Sequence, residues 1–157
     1  MPGHYRKGVL IEPRPASDPA LVALVTAQQR ELRDADGGLD GQVFDVHPNI
    51  RFLVGLHNGL AVTCGAIQAL DARTAEIKRM YVRPAFRGQG LARQLLTALE
   101  ELALWHGHTE VRLETATYLP AAIGLYSSAG YARIPVYGEY VSNPYSVCFR
   151  KRLPVPA

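Results

Sequence analysis

Met80-Tyr81-Val82-Arg83-Pro84-Ala85-Phe86-Arg87-Gly88-Gln89-Gly90-Leu91-Ala92 is the stretch on which the fold turns. It opens as the end of a β-like run, Thr74–Val82, breaks at a proline, and closes on an amphipathic run. Leu91, Leu95, Leu96, Leu99, Leu102 and Ala103 recur at helical spacing, which predicts a helix over Leu91–His106. Gly88 and Gly90 remove side chains where the backbone must come close to something. The first N–H groups of the helix have no partner within it, and the helix dipole adds positive potential there. Such a turn suits a phosphate or pyrophosphate, and Arg87 adds charge-assisted contacts. The dinucleotide fingerprint G-x-G-x-x-G fails at Arg93, and the Gly-Lys-Ser/Thr of the ATP-binding loop is absent. The competing reading is a tight strand–helix connection that holds no ligand.

Working outward, Val9–Pro13 reads as a first strand ended by proline. Asp18-Pro19 is an N-cap followed by proline at the first helical position, and Leu21, Leu24, Val25 and Leu32 predict a helix over Ala20–Arg33. Gly37-Gly38 stops it, and residues 37–50 read as a loop near a site. Asn58-Gly59 between apolar runs signals a hairpin with strands at 51–57 and 60–70. The strand at 74–82 completes an antiparallel meander. After the Leu91–His106 helix, closed by Gly107, come a strand at 111–115, a helix over Pro120–Ala129 closed by Gly130, and strands in 131–136 and 146–153. The order predicts a mixed α/β chain with α+β character: one mixed sheet of about seven strands with helices on both faces.

Composition bounds the rest. The 157 residues suit a single domain over 1–157. At 48% hydrophobic and 20% charged the chain is globular rather than disordered. Lys+Arg at 17 against Asp+Glu at 14 leaves a net charge of only +3, with no basic run of a nucleic-acid arm. No stretch reaches 18 apolar residues, so no membrane span is expected. Residues 1–15 lack an apolar core of signal-peptide length. Cys64 and Cys148, in apolar strands, suit a reducing, cytoplasmic setting as buried small hydrophobes. His106-Gly-His108 has no clustered third ligand, so no metal is expected.

Arg87-x-x-Gly90-x-Ala92 resembles the Arg/Gln-x-x-Gly-x-Gly/Ala signature of the GNAT superfamily of acyl-CoA-dependent N-acetyltransferases, with Val82-Arg83-Pro84 as a similar lead-in. Downstream, Ala122-Ile123-Gly124-Leu125-Tyr126-Ser127-Ser128-Ala129-Gly130-Tyr131 resembles the family's A-x-x-L-Y-x-x-x-G-F/Y segment. The resemblance covers roughly residues 8–152. It implies the GNAT-like fold, whose sheet splays between the meander and the next parallel strand, here 74–82 and 111–115. It implies acetyl-CoA as cofactor, its pyrophosphate on the amides of Arg87, Gly88, Gln89, Gly90, Leu91 and Ala92. Its pantetheine would lie along Met80, Tyr81 and Val82 like an extra strand. The partner it implies is a primary amine of a small molecule or peptide, acetylated by direct attack in a ternary complex. A non-catalytic acyl-CoA sensor is the alternative. Assembly stays open, with a homodimer among the forms such folds take.

The chemistry needs a base for the protonated amine, donors for charge on the thioester oxygen, and an acid for the departing thiolate. The resemblance implies Tyr126 as the acid, near the cofactor sulfur; its alternative role is a core aromatic. Glu76 matches a base glutamate of some family members. By period 2 it shares a face with Val82, and its alternative is a structural ion pair with Lys78. Glu114, at the end of its strand, faces the site across the splay as a base or amine anchor. His47, Tyr137, Tyr140 and Tyr145 lie in loops suited to the acceptor, and Glu139 would attract a cationic amine. Where many members carry Asn three residues before the motif alanine, this chain has Leu119.

Overall fold

Asp18 starts the first helix as its spacing predicts. Its Oδ2 accepts the Leu21 N–H at 3.1 Å, its carbonyl accepts Val22 N–H at 2.9 Å, and Pro19 takes the first helical position. The computed structural model describes residues 4–6, 8–36 and 49–154. Over these the elements run β1 (His4–Arg6), β2 (Val9–Arg14), α1 (Pro19–Asp36), β3 (Ile50–His57), β4 (Leu60–Ala69), β5 (Thr74–Val82), α2 (Leu91–Trp105), β6 (Glu110–Ala116), α3 (Pro120–Ser128), β7 (Ala132–Ile134) and β8 (Ser146–Arg152). Short 3-10 turns lie at Pro84–Phe86 and Gly138–Tyr140. All seven expected strands are present. The short β1 adds an eighth by pairing antiparallel with β2. β7 stops at Ile134 because Pro135 has no N–H to give a ladder. Most of the predicted 37–50 loop, His47 included, lies outside the described residues.

The eight strands form one sheet in the order β1-β2-β3-β4-β5-β6-β8-β7. Every pair is antiparallel except β5–β6. That parallel ladder pairs Thr74–Ile77 with Glu110–Leu113 and ends there. β6 continues to Ala116 against β8, and β5 continues to Val82 against β4. The two halves therefore part between Lys78–Val82 and Glu114–Ala116, the splay that the family resemblance implied.

Helices cover both faces. Leu21, Leu24 and Val25 of α1 pack with Phe52, Val54, Cys64, Ala66 and Tyr81 on one face. Leu91, Leu95, Leu99 and Leu102 of α2 and Tyr126 of α3 pack with Leu53, Val62, Ile67, Ile77, Val111 and Phe149 on the other. Burial of such side chains is the main favourable term, about 1.5–3 kcal/mol for each large one.

One irregularity matters for the site. Cys64 pairs with Tyr81, but Ala66 pairs with Lys78, so β5 holds one residue more than β4 over that step. Arg79 takes up the extra residue at φ +59. A bulge of one residue moves everything beyond it to the opposite face. Glu76 and Lys78 share the α1 face with their neighbour Ala66, and Tyr81 joins them there. Met80 and Val82 instead pack against the α2-side core. The period-2 count that put Glu76 and Val82 on one face is thereby corrected: the inserted Arg79 separates them.

Candidate active site

The splay opens a cleft of about 1160 Å³ between β5, β6, α1 and the starts of α2 and α3. Its floor on the β5 side is Met80, Tyr81 and Val82. Arg83 N–H donates to the Val62 carbonyl at 2.8 Å, so Arg83 and Tyr81 turn their backbones toward β4. By alternation Met80 and Val82 turn theirs into the cleft. Two side chains already reach that edge. Gln28 Nε2 donates to the Met80 carbonyl at 2.8 Å, and Arg87 Nε to the Val82 carbonyl at 2.9 Å.

At one end of the cleft stand Arg87, Gly88, Gly90, Leu91 and Ala92. Gly88 and Gly90 sit at φ +77 and +80, where a side chain is strained. A Cβ at either position would meet nothing within 4 Å, so the chain leaves the space beside the loop open. Gly90 is the N-cap of α2 and supplies no side-chain cap; the first turn has no acidic residue. The N–H groups at the positive end of α2 thus face an open, cation-flanked cradle. Arg87 also pairs with Glu31 of α1 and lies 5.5 Å from the centre of the Tyr81 ring. These residues fit a diphosphate such as that of a CoA-type group. Gln89 is exposed and stands outside the cleft wall.

Midway lies Tyr126, 7% exposed, its hydroxyl donating to Met80 Sδ at 3.6 Å. Burial, then the charge of Glu114, pushes its phenol well above the usual range. It stays protonated at neutral pH and is available as a donor. The ring packs on Tyr131 and Phe149, so the core role and the cleft position coexist. Leu119, the N-cap of α3 without a side-chain cap bond, lines the cleft beside it.

Across the splay, Glu114 lines the cleft and accepts a hydrogen bond from Ser146 Oγ at 2.7 Å. Lys78, Glu139, Tyr140 and Asn143 close this end. Glu76 is placed differently. At 2% exposure it lies outside the cleft wall, beneath Tyr140, whose hydroxyl donates to its two oxygens at 3.1 and 3.3 Å. The Tyr137 hydroxyl approaches the same carboxylate but stays outside hydrogen-bond geometry. Lys78 Nζ stands 3.7 Å from Glu76 and 3.0 Å from Glu139, so the ion-pair reading of Glu76 is realised geometrically. Burial pushes the Glu76 carboxyl up, outweighing the lowering by Lys78 and by the Tyr140 hydrogen bond. Tyr145 packs edge-on against Tyr118, 5.8 Å between ring centres.

Sequence reasoning missed Arg79, Gln28 and Asn143 as cleft residues. Gln28 had a signal: it continues the apolar stripe Leu21, Leu24, Val25 at helical spacing, yet it is polar. Arg79 had none, since a bulge is a register event between two strands. The other motifs lie elsewhere. Burial pushes the Cys64 thiol up to about 12, which leaves it inert. His108 is buried away from the cleft, and no group of three metal-ligating side chains gathers among the described residues. No helix among them is long and apolar enough to cross a membrane.

Comparison with known proteins agrees with this layout. The chain is 36% identical over 140 residues to an IAA acetyltransferase of Azospirillum brasilense, across 85% of this chain and 91% of that one. It is 32% identical to the N-acetylaspartate synthetase of Rattus norvegicus over 68% of this chain, but only 36% of that longer protein. A Klebsiella pneumoniae crystal structure, bearing the name of an acyl-CoA N-acyltransferase, superposes with a TM-score of 0.80 at 33% identity, covering 92% of this chain and 97% of that one. A GNAT acetyltransferase of Elizabethkingia anophelis with acetyl-CoA bound shares the fold at a TM-score of 0.72 and 18% identity, covering 94% and 100%. The model of the Acetyltransferase (GNAT) family matches residues 19–131, from the first residue of α1 to the tyrosine after α3. A splayed mixed sheet, a glycine cradle at the start of α2 and these likenesses converge: this chain belongs to the GNAT family of acetyltransferases.

Proposed function

We propose that this single-domain protein transfers an acetyl group from acetyl-CoA to the primary amine of a small molecule or peptide, by direct attack with both substrates bound. One observation carries the reading: the parallel ladder ends at Ile77–Leu113 and leaves a cleft that runs onto the uncapped start of α2. Met80 and Val82 would pair with pantetheine as with an added strand. Arg87 and the amides from Gly88 to Ala92 would hold the pyrophosphate, with Gln89 contributing backbone only. Acetyl-CoA, when bound, supplies the activated acyl group.

The remaining work falls to this chain. Tyr126, held protonated, donates toward the departing sulfur. Glu114, fixed by Ser146 across the splay, anchors the acceptor as its ammonium. Glu76, raised by burial, is the base. Holding the two substrates in line supplies much of the acceleration. Names such as IAA acetyltransferase and N-acetylaspartate synthetase point to different acceptors, so they choose none for this chain. Glu114 and Glu139 at the cleft wall favour a cationic amine. A cytoplasmic setting fits the two buried free thiols.

Gly90→Asp tests the cradle by setting a carboxylate at the positive end of α2. Calorimetry with acetyl-CoA is expected to read a loss of about tenfold or more in affinity. Unchanged affinity would sink the pyrophosphate assignment. Tight acetyl-CoA binding by the wild type, with no thiol release on any amine, would leave a sensor in place of an enzyme.

A further inference from the structure

Glu76 poses a problem of access. Its carboxylate is 2% exposed and lies outside the wall of the cleft, whereas an acceptor amine must stand within it. Tyr140 spans the gap. It lines the cleft, and its hydroxyl donates to Glu76 at 3.1 and 3.3 Å, touching both carboxylate oxygens. Three neighbours hold that contact. The Tyr137 ring meets the Tyr140 ring edge-on, centres 5.6 Å apart. Lys78 Nζ lies 5.9 Å over the Tyr140 ring while bound to Glu139. The 3-10 turn Gly138–Tyr140 sets Glu139 and Tyr140 side by side.

We propose that the Tyr140 hydroxyl relays the acceptor amine's proton to the buried Glu76 carboxylate. This rests on the acyl-transfer reading above. In one concerted step an N–H bond of the ammonium breaks and its proton bonds to the Tyr140 oxygen. The original phenolic proton passes to Glu76. Tyr140 ends as it began, Glu76 ends as a neutral acid, and the nitrogen is left with the lone pair that attacks. A hydroxyl that both accepts and donates is what such a handover needs. Burial and the charges of Glu76, Glu139 and Glu114 all oppose a free tyrosinate at Tyr140, which favours a concerted handover over one that passes through that anion. The ionisable groups around the pair are Lys78 on β5, Arg112 (the cross-strand partner of Glu76) and Glu114 on β6, Tyr137 before the 3-10 turn, Glu139 within it, and Cys148 on β8. Tyr140 is the catalytic residue of this relay, and Glu76 acts through it.

Turnover of the best acceptor in a panel of primary amines tests the relay in wild type, Y140F, E76Q and the double variant. Both single changes are near-isosteric. Each is expected to lower kcat by about 100-fold, the scale of general base catalysis, with the acetyl-CoA KM unchanged. The double variant should be no slower than either single one, because the two residues act as a unit. The wild-type to Y140F ratio should shrink toward one as pH approaches about 10, where alkylamines shed the proton unaided. Three outcomes would overturn the relay alone: Y140F at wild-type kcat, losses that multiply in the double variant, or a ratio constant with pH. E76Q at wild-type kcat would overturn it together with the assignment of Glu76 as the base. A wild type that binds acetyl-CoA yet acetylates no amine would overturn the acyl-transfer reading, and the relay with it.

Discussion

Tyr126 joins a core position to the proposed role of acid, two readings that sequence reasoning sets against each other. Its ring fills core space against Tyr131 and Phe149, and its hydroxyl still reaches the cleft edge at Met80. Burial that keeps the ring in the core also raises the phenol and keeps it protonated, which is the state the proposed acid role needs. Removing the hydroxyl alone separates them. Tyr126→Phe should keep the fold and bind acetyl-CoA within about threefold, while kcat falls roughly 100-fold, the scale of general acid catalysis. Calorimetry beside steady-state kinetics checks this, and an equal fall in affinity and rate would assign Tyr126 to packing. Tyr126 was legible from its motif. The relation of Glu76 to Tyr140 was not, since 64 residues separate two groups that meet at 3.1 Å.

Among the elements, β5 does the most. Its first half is an ordinary ladder member, paired on both sides. Arg79 then inserts a residue, and beyond it the strand pairs only with β4. The insertion sends Met80 to the α2 face below Tyr126 and Tyr81 to the α1 face below Arg87. Without it both motif neighbours would point the wrong way. A left-handed conformation costs an L-residue about 1–2 kcal/mol, more for a β-branched one. Arg79→Val should therefore lower stability by about 2 kcal/mol in urea denaturation and displace Met80. Arg79→Gly, which adopts that conformation freely, should not destabilise. Equal stability of the two variants would mean that the bulge does not depend on this residue's backbone. Seven of the eight strands, the hairpin at Asn58-Gly59 and the three helices were legible, because each follows from local period and turn chemistry; the short β1 was not. The bulge was not, because it is a mismatch of count between two strands.

At the scale of the whole molecule, the sheet carries a buried carboxylate close to its middle strands. Glu76 in the folded chain holds its proton more tightly than an unfolded carboxyl does. Its contribution to stability is therefore full below the ordinary carboxyl range and is lost as pH rises through the folded value. Glu76→Gln stays neutral throughout and does not suffer that loss. The stability of wild type relative to Glu76→Gln should fall as pH climbs from about 4 toward neutrality, as read by thermal melts across that span. A difference independent of pH would contradict the raised carboxyl. The same experiment gauges what the fold concedes to hold a carboxyl group among Tyr137, Tyr140 and Lys78.

The sequence by itself determined the three helices, seven of the eight strands, their order, the sheet with helices on both faces, and the glycine turn into α2. These depend on side-chain period, caps and backbone freedom, which neighbouring residues set among themselves. Only the tertiary structure decided which groups meet. It parted β5 from β6 at Ile77–Leu113, moved Glu76 off the face of Val82, and closed Tyr140 over it. It also brought Gln28 from α1 onto the Met80 carbonyl. Register and burial arise between segments distant along the chain, so no local pattern encodes them; the splay was legible only through the family resemblance, and its point of parting was not.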